Sequence, residues 1–237
     1  MNIILFPSSA LVDKKIATVS DMRIINHVRN VLKPDVGDSL KVGEIDGSKG
    51  VGIIEEFSEN RLVLQVTLDS SPPRALPCTL ILAMPRPKAF KRTVQAAVTM
   101  GIKTIYIIKT WRVDKNYFDS PVLLSENIDR QVILGLEQAG DTMLPHIEVR
   151  QYFKPFFEDE LPSLCRGKEL YMAHPYSNAQ VPSTVQKESL LAIGPEGGFI
   201  EYEVDRFIDS GFSAVTIGDR ILRVEQAIPA FLSRMFY

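Results

Sequence analysis

Three short loops in this 237-residue chain have the residue types that hold ligands. Gly194-Pro195-Glu196-Gly197-Gly198 follows an apolar run and precedes a helical pattern. Gly194, Gly197 and Gly198 permit an unusual backbone path and leave bare main chain for a flat ligand to lie against. Gly218-Asp219-Arg220 follows a second apolar run and leads into Ile221-Leu222-Arg223-Val224-Glu225. Ala173-His174-Pro175 follows a third. Taken singly, the glycines close turns and His174 is a satisfied loop histidine. Taken together, three strand ends describe a cleft at the carboxyl edge of an α/β sheet, where such proteins bind ligands. Glu196 either caps the helix that follows or helps to hold the ligand.

The cleft fits neither common nucleotide motif. No Gly-Lys-Ser/Thr follows four spacer residues, and no Gly-x-Gly-x-x-Gly opens a helix. The glycines at 43, 47, 50 and 52 fall among β-hairpins and read as turn chemistry. Glu201, Glu203 and Asp205 follow the Gly194 loop at a helix start, where they offset the positive end and repel phosphate. A neutral ligand, or one with a cationic centre, suits the loop better.

Phosphate chemistry has another candidate home. Between Ser70 and Val113 the chain carries eight cations and no acid, among them Arg86, Lys88, Lys91, Arg92 and Arg112. Such a run is either a solvated face balanced by acids from elsewhere or a surface for a polyanion. Net charge is -2 overall, so the positive character is local.

These loops need a scaffold, and the chain has two textures. Up to residue 71 it reads as β-rich, with short apolar runs at 40–42, 51–54 and 62–68. Asp46-Gly47 and Glu59-Asn60 mark the turns, and one helix is expected over 20–32, ended by Lys33-Pro34. Ser70-Ser71-Pro72-Pro73 reads as a linker. From residue 72 to 237, strands at 79–83, 104–108, 169–172, 190–193 and 214–217 alternate with helices at 91–100, 125–139, 201–210 and 225–237. That alternation predicts an α/β fold with a mostly parallel sheet covered by helices. Pro229 belongs in the first turn of the last helix, where N–H groups lack partners. The apolar stripe Ile228, Phe231, Leu232, Met235 and Phe236 suits either the core or a dimer interface.

Composition sets outer bounds. The chain is 45% hydrophobic and 24% charged, enough for one large or two modest cores. Cys78 and Cys165 are too few for a disulfide framework or a zinc cluster, and no metal site is expected. The first residues carry no secretory signal and no apolar stretch approaches a membrane span, so the expected compartment is the cytoplasm.

Leu191-Ala-Ile-Gly-Pro-Glu-Gly-Gly-Phe199 followed by Ile217-Gly-Asp-Arg-Ile-Leu-Arg-Val-Glu225 resembles a family signature. The family is that of the 16S rRNA N3-uridine methyltransferases (ribosomal RNA small subunit methyltransferase E), within the SPOUT methyltransferases. His27-Val-Arg-Asn-Val-Leu-Lys33, Val36-Gly-Asp38, the Glu137-Gln138 pair with Pro145, and His174-Pro175 extend the likeness along most of the chain. The family's Arg-Thr-Glu-Thr-Ala stands here as Arg223-Val224-Glu225-Gln226-Ala227.

The resemblance implies a PUA-like β-barrel over 1–71 and a SPOUT domain with a trefoil knot over 72–237. It also implies a homodimer, S-adenosylmethionine as cofactor, and 16S rRNA in the small ribosomal subunit as partner. His174, Gly194, Glu196, Gly197, Gly198, Ile217, Gly218 and Leu222 would hold the cofactor. Arg223 would stabilise charge on the base, and Glu225 would orient it or accept its proton, unless the two form only a structural ion pair. Arg86, Lys88, Lys91, Arg92 and Arg112 would hold RNA phosphates. Two other readings remain: a SPOUT enzyme for another base or a ribose, and a non-catalytic RNA-binding protein of ribosome assembly.

Overall fold

The computed structural model describes residues 1–237, which divide into two compact units. The first comprises Met1–Arg74 with Leu136–Leu144, and the second Ala75–Gly135 with Pro145–Tyr237. The division read from sequence, at 71/72, leaves 136–144 with the C-terminal part; in the structure that segment belongs to the first unit. Its backbone explains why. Glu137 accepts from the Asn2 amide at 3.0 Å, and Thr142 accepts from the Asp46 amide at 2.9 Å.

In the first unit, β1 (Ile4–Phe6), β2 (Leu11–Val12), β3 (Ile16–Val19), β4 (Ser39–Glu44), β5 (Lys49–Phe57) and β6 (Leu62–Ser70) share one sheet. Its order is β1-β4-β5-β6-β3-β2. β1 pairs parallel with β4, and the other neighbours are antiparallel. The expected hairpin joins β4 to β5, with Asp46 at φ +58° in the turn. The first three strands were not among the runs read from sequence. α1 (Met22–His27) begins at Asp21, whose carboxylate accepts from the Arg23 amide, and passes into a π-helical turn over Val28–Leu32. It stops at Lys33, which takes φ +50° before Pro34. Phe6, Val19, Ile24, Val28, Ile54 and Leu64 are among the side chains that close the core.

In the second unit the elements run β7 (Cys78–Ala83), α2 (Pro87–Thr99), β8 (Thr104–Ile108), α3 (Ser125–Ala139, its last residues counted with the first unit), β9 (His146–Arg150), α4 (Phe153–Pro155) and α5 (Leu161–Leu164). They continue as β10 (Glu169–Ala173), β11 (Ser189–Ile193), α6 (Glu201–Asp209), β12 (Ser213–Val215) and α7 (Val224–Phe236). The sheet has the order β12-β10-β11-β7-β8-β9, and every pair in it is parallel. β7 and β11 are buried along their whole length, as strands covered on both faces must be. β9 escaped the sequence reading because it is an edge strand whose residues alternate polar and apolar, His-Ile-Glu-Val-Arg.

α2 buries Phe90, Thr93, Val94, Ala97 and Val98, a helical stripe that packs against α7. α7 answers with Val224, Ala227, Ile228, Phe231, Leu232 and Met235. Of the stripe that sequence offered to either core or dimer, Ile228, Phe231, Leu232 and Met235 are buried inside the protomer and Phe236 is partly exposed. Pro229 does not lie in the first turn as expected. It sits in the second turn of α7, where the helix continues although Pro229 offers no N–H to the Glu225 carbonyl. No helix is long and apolar enough to cross a membrane.

One ion pair in the first unit stands out. Both Arg23 Nη atoms donate to Glu137 carboxylate oxygens at 2.7 Å, and the Glu137 side chain is only 2% exposed. The pairing holds the Arg23 guanidinium above its usual pKa. Replacing Arg23 by methionine strands a buried carboxylate. We expect a loss of about 3 kcal/mol, the low end for breaking a buried pair because Arg23 itself is 31% exposed. Urea denaturation followed by circular dichroism reads the change; an unmoved midpoint would show that Glu137 finds other compensation.

Candidate functional site

A parallel sheet gathers the carboxyl ends of its strands on one edge, and here that edge is hollow. A cavity of about 220 Å³ opens where β10, β11 and β12 end. Ala173 and His174 enter from β10, the stretch from Ile193 to Phe199 from β11, and Thr216 and Ile217 from the loop after β12. Val224, Ala227 and Phe231 of α7 close the apolar wall. Of the eight residues singled out for ligand contact, His174, Gly194, Glu196, Gly197, Gly198, Ile217 and Leu222 all line this cavity. Gly218 does not. Its N–H donates to Thr216 Oγ1 at 3.3 Å, and its carbonyl accepts from the same hydroxyl at 2.9 Å. With φ at +146°, Gly218 serves the turn that carries Ile217 to the cavity.

The glycine loop is pinned from two directions. Glu196 accepts from the Arg86 amide at 3.0 Å, and Arg86 is the residue from which α2 starts. Glu196 thus bonds the residue that opens α2 and not α6, the helix that follows it. Arg112 Nη1 donates to the Gly197 carbonyl at 2.5 Å and reaches the Phe199 carbonyl at 3.5 Å. Arg112, expected to grip RNA phosphate, bonds the loop through Nη1 and lines the cavity. Gly198 completes the bend at φ +70°, a conformation that a Cβ would strain. The His174 amide donates to the Val215 carbonyl at 2.9 Å, and its ring meets Tyr176 edge-on.

Arg223 and Glu225 sit beside the cavity without lining it, although Leu222 and Val224 do. Arg223 is the N-cap residue of α7, exposed, its carbonyl accepting from the Gln226 and Ala227 amides and its guanidinium in no hydrogen bond or ion pair, and Glu225 lies in the first helical turn. No salt bridge joins them. Arg86, Lys88, Lys91 and Arg92 are exposed at the start and on the outer face of α2, none of them in an ion pair, and none lines the cavity. Sequence reading missed Tyr176, Arg220, Ile221 and Phe231 as lining residues. Arg220 and Ile221 lie within the segments it singled out and Tyr176 directly follows another, whereas Phe231 was recognised only as part of an apolar stripe.

Because Arg112 bonds two carbonyls of one loop, its loss should loosen that loop locally and not the fold. In Arg112→Ala, hydrogen exchange of the amides from Gly194 to Ile200 should quicken at least tenfold, with β7 and β11 unchanged. An exchange pattern identical to the parent chain would remove Arg112 as the anchor.

Comparison with known proteins gives this geometry a context. The family described as RNA methyltransferase domain matches residues 72–236. The ribosomal RNA small subunit methyltransferase E of Treponema pallidum is 31% identical over 233 residues, which cover 96% of this chain and 87% of that one. Its namesake in Synechocystis is 26% identical over 219 residues, 89% of this chain and 70% of that one. Among solved structures, ribosomal RNA small subunit methyltransferase E from Neisseria gonorrhoeae bound to S-adenosyl methionine shares the fold with a TM-score of 0.74. That match has 21% identity and covers 98% of this chain and 95% of that one. With the glycine loop, the Gly218 turn and the parallel sheet all in place, this chain belongs to the RNA methyltransferase family, among the relatives named ribosomal RNA small subunit methyltransferase E.

Proposed function

We propose that this protein is an S-adenosylmethionine-dependent methyltransferase that methylates N3 of a uridine in 16S rRNA of the small ribosomal subunit. The observation that carries the reading is the convergence of three separate loops on one cavity at the sheet's carboxyl edge. The residues suit the cofactor. Glycine backbone and the side chains of Ile193, Ile217, Leu222 and Phe231 offer a flat apolar slot for an adenine. Glu196 and Arg220 put opposite charges on the wall, complementary to a zwitterionic amino-acid moiety. When bound, S-adenosylmethionine supplies an electrophilic methyl group on a sulfonium.

The protein's own task is to prepare the base. A uracil N3 is a poor nucleophile until its proton leaves, and negative charge then spreads to the flanking carbonyl oxygens. Arg223, unpaired and next to a cavity-lining residue, is placed to donate to those oxygens. Glu225, one helical step away, orients the base or receives the N3 proton. Arg86, Lys88, Lys91 and Arg92 form an unpaired cationic patch for phosphates.

The same reading gives the first unit the character of a PUA-like barrel and the second a trefoil knot. The strand order supports the latter, since β12 returns to lie beside β10. It makes the working form a homodimer in the cytoplasm, with the interface outside the buried stripe of α7.

Single-turnover methyl transfer to small subunits lacking the modification, at saturating RNA and cofactor, tests the chemistry. Arg223→Ala should lower the rate by a factor of about a hundred or more, with little change in cofactor affinity by calorimetry. Arg223→Lys should recover only part, because an ammonium lacks the planar two-pronged donation. A parental rate in the alanine variant would take Arg223 out of the mechanism. No transfer by the parent chain would leave a binding protein. Removing Arg86, Lys88 and Arg92 together should weaken RNA binding and flatten its dependence on salt, since fewer counterions are released. An unaltered salt slope would make the patch a solvated face.

A further inference from the structure

A second, larger cavity lies in the second unit and is not used by the reading above. Its volume is about 670 Å³, and residues that leave β8, β9 and the glycine loop surround it. Trp111, Tyr152 and Tyr202 line it while remaining 81%, 72% and 59% exposed. Three large rings kept in water around one hollow are unusual for a surface with nothing to bind, because aromatic rings dominate the energetics of contact. Lys109, Lys115 and Lys154 stand among them. Lys154 lies within 3.8 Å of Glu158, Lys109 sits 6.0 Å from the centre of the Phe118 ring, and Lys115 has no acidic partner.

Two polar groups complete the lining. Thr110 is 3% exposed, and its hydroxyl has no hydrogen-bond partner in the protein. A buried hydroxyl left bare awaits a partner, since interiors otherwise satisfy such groups. Glu203 is the acid of the lining, and it is already engaged. One carboxylate oxygen accepts from the Trp111 amide at 2.6 Å and the other from the Ile200 amide at 3.0 Å. The carboxylate therefore fixes the backbone of Trp111.

We propose that this cavity binds an unpaired nucleobase of the RNA with its adjoining phosphates. The base stacks on the rings of Trp111, Tyr152 and Tyr202, the lysines meet the phosphates, and Thr110 Oγ1 bonds the base edge. Flat rings interleaved with cations suit single-stranded nucleic acid, because every base offers a π-face when unpaired and its backbone carries the charge. Duplex is excluded, since its base faces are already covered. The cavity adjoins the first one along the chain: Arg112 lines one, and its neighbours Trp111 and Val113 line the other. The nucleotide held here is then one that flanks the base to be modified. This inference rests on RNA being the substrate.

Trp111 is the sole tryptophan of the chain, so its fluorescence reports on this cavity alone. Titrating the full-length protein with a short single-stranded oligoribonucleotide should quench that emission saturably, and less at high salt. Tyr202→Ala should weaken binding about tenfold, as expected for one stacking platform. Thr110→Val should weaken it severalfold while leaving thermal stability unchanged or raised, because the hydroxyl it removes has no partner in the free protein. Neither residue lines the first cavity, so S-adenosylmethionine affinity should hold in both. Unquenched emission at RNA concentrations that saturate binding by anisotropy would overturn the site. So would quenching indifferent to both substitutions. Emission that changes with protein concentration in step with sedimentation would give the surface to a second copy instead. A response to small-subunit proteins but not to RNA would give it to a protein partner. Methyl transfer read in parallel separates the two proposals. Quenching without transfer sinks the enzyme and keeps the site, and transfer with silent Trp111 does the reverse.

Discussion

The site depends on a short loop being held still through one of its side chains and through its own carbonyls. Glycine-rich chain has more freedom to lose than any other, so a loop of this composition is a poor wall unless something fixes it. Glu196 and Arg112 do so by opposite means. The carboxylate takes the amide of Arg86, the residue just before α2, and the guanidinium gives to the Gly197 and Phe199 carbonyls. Both partners are distant in sequence and belong to the segments that flank β7 and β8, so the loop inherits the rigidity of the buried sheet. The cavity is thus an extension of the sheet's own hydrogen-bonded order, and its apolar wall from α7 rests on the same packing through α2.

Charge is distributed with a corresponding economy. Arg112 and Glu203 are engaged by backbone groups, whereas the guanidinium of Arg223 and the cations on the outer face of α2 are unpaired. A side chain already bonded to the protein's own carbonyls changes little when a ligand arrives. An unpaired, exposed guanidinium next to a lining residue retains its donors for whatever comes. This difference in commitment separates residues that shape the cavity from those available to a substrate.

Much of the scaffold was legible in the sequence because its signals are local. Short apolar runs at 79–83, 104–108, 169–172 and 190–193 marked β7, β8, β10 and β11, and the longer pattern over 125–139, followed by Gly140, marked α3. What escaped was set by partners far along the chain. β1 is three residues long and exists by pairing with β4; β9 is an edge with an unremarkable pattern. Glu196 read as a cap for the helix after it or as a ligand contact, since nothing local announces the Arg86 amide 110 positions away. Arg112 likewise read as one more cation in an acid-free run. Motif spacing located the cavity; only three-dimensional contact separated wall from anchor.

The Glu203 carboxylate joins the backbone at Trp111 to that at Ile200, both of which line the second hollow. Arg112 and Phe199 face one hollow from positions immediately beside residues that face the other. A molecule that shifts either strand of this partition must move a surface on both sides of it. Any difference it makes to affinity next door is then returned in equal measure when the order of arrival is reversed, because binding free energies around a closed cycle must agree. One shared wall makes the two compartments thermodynamically accountable to each other.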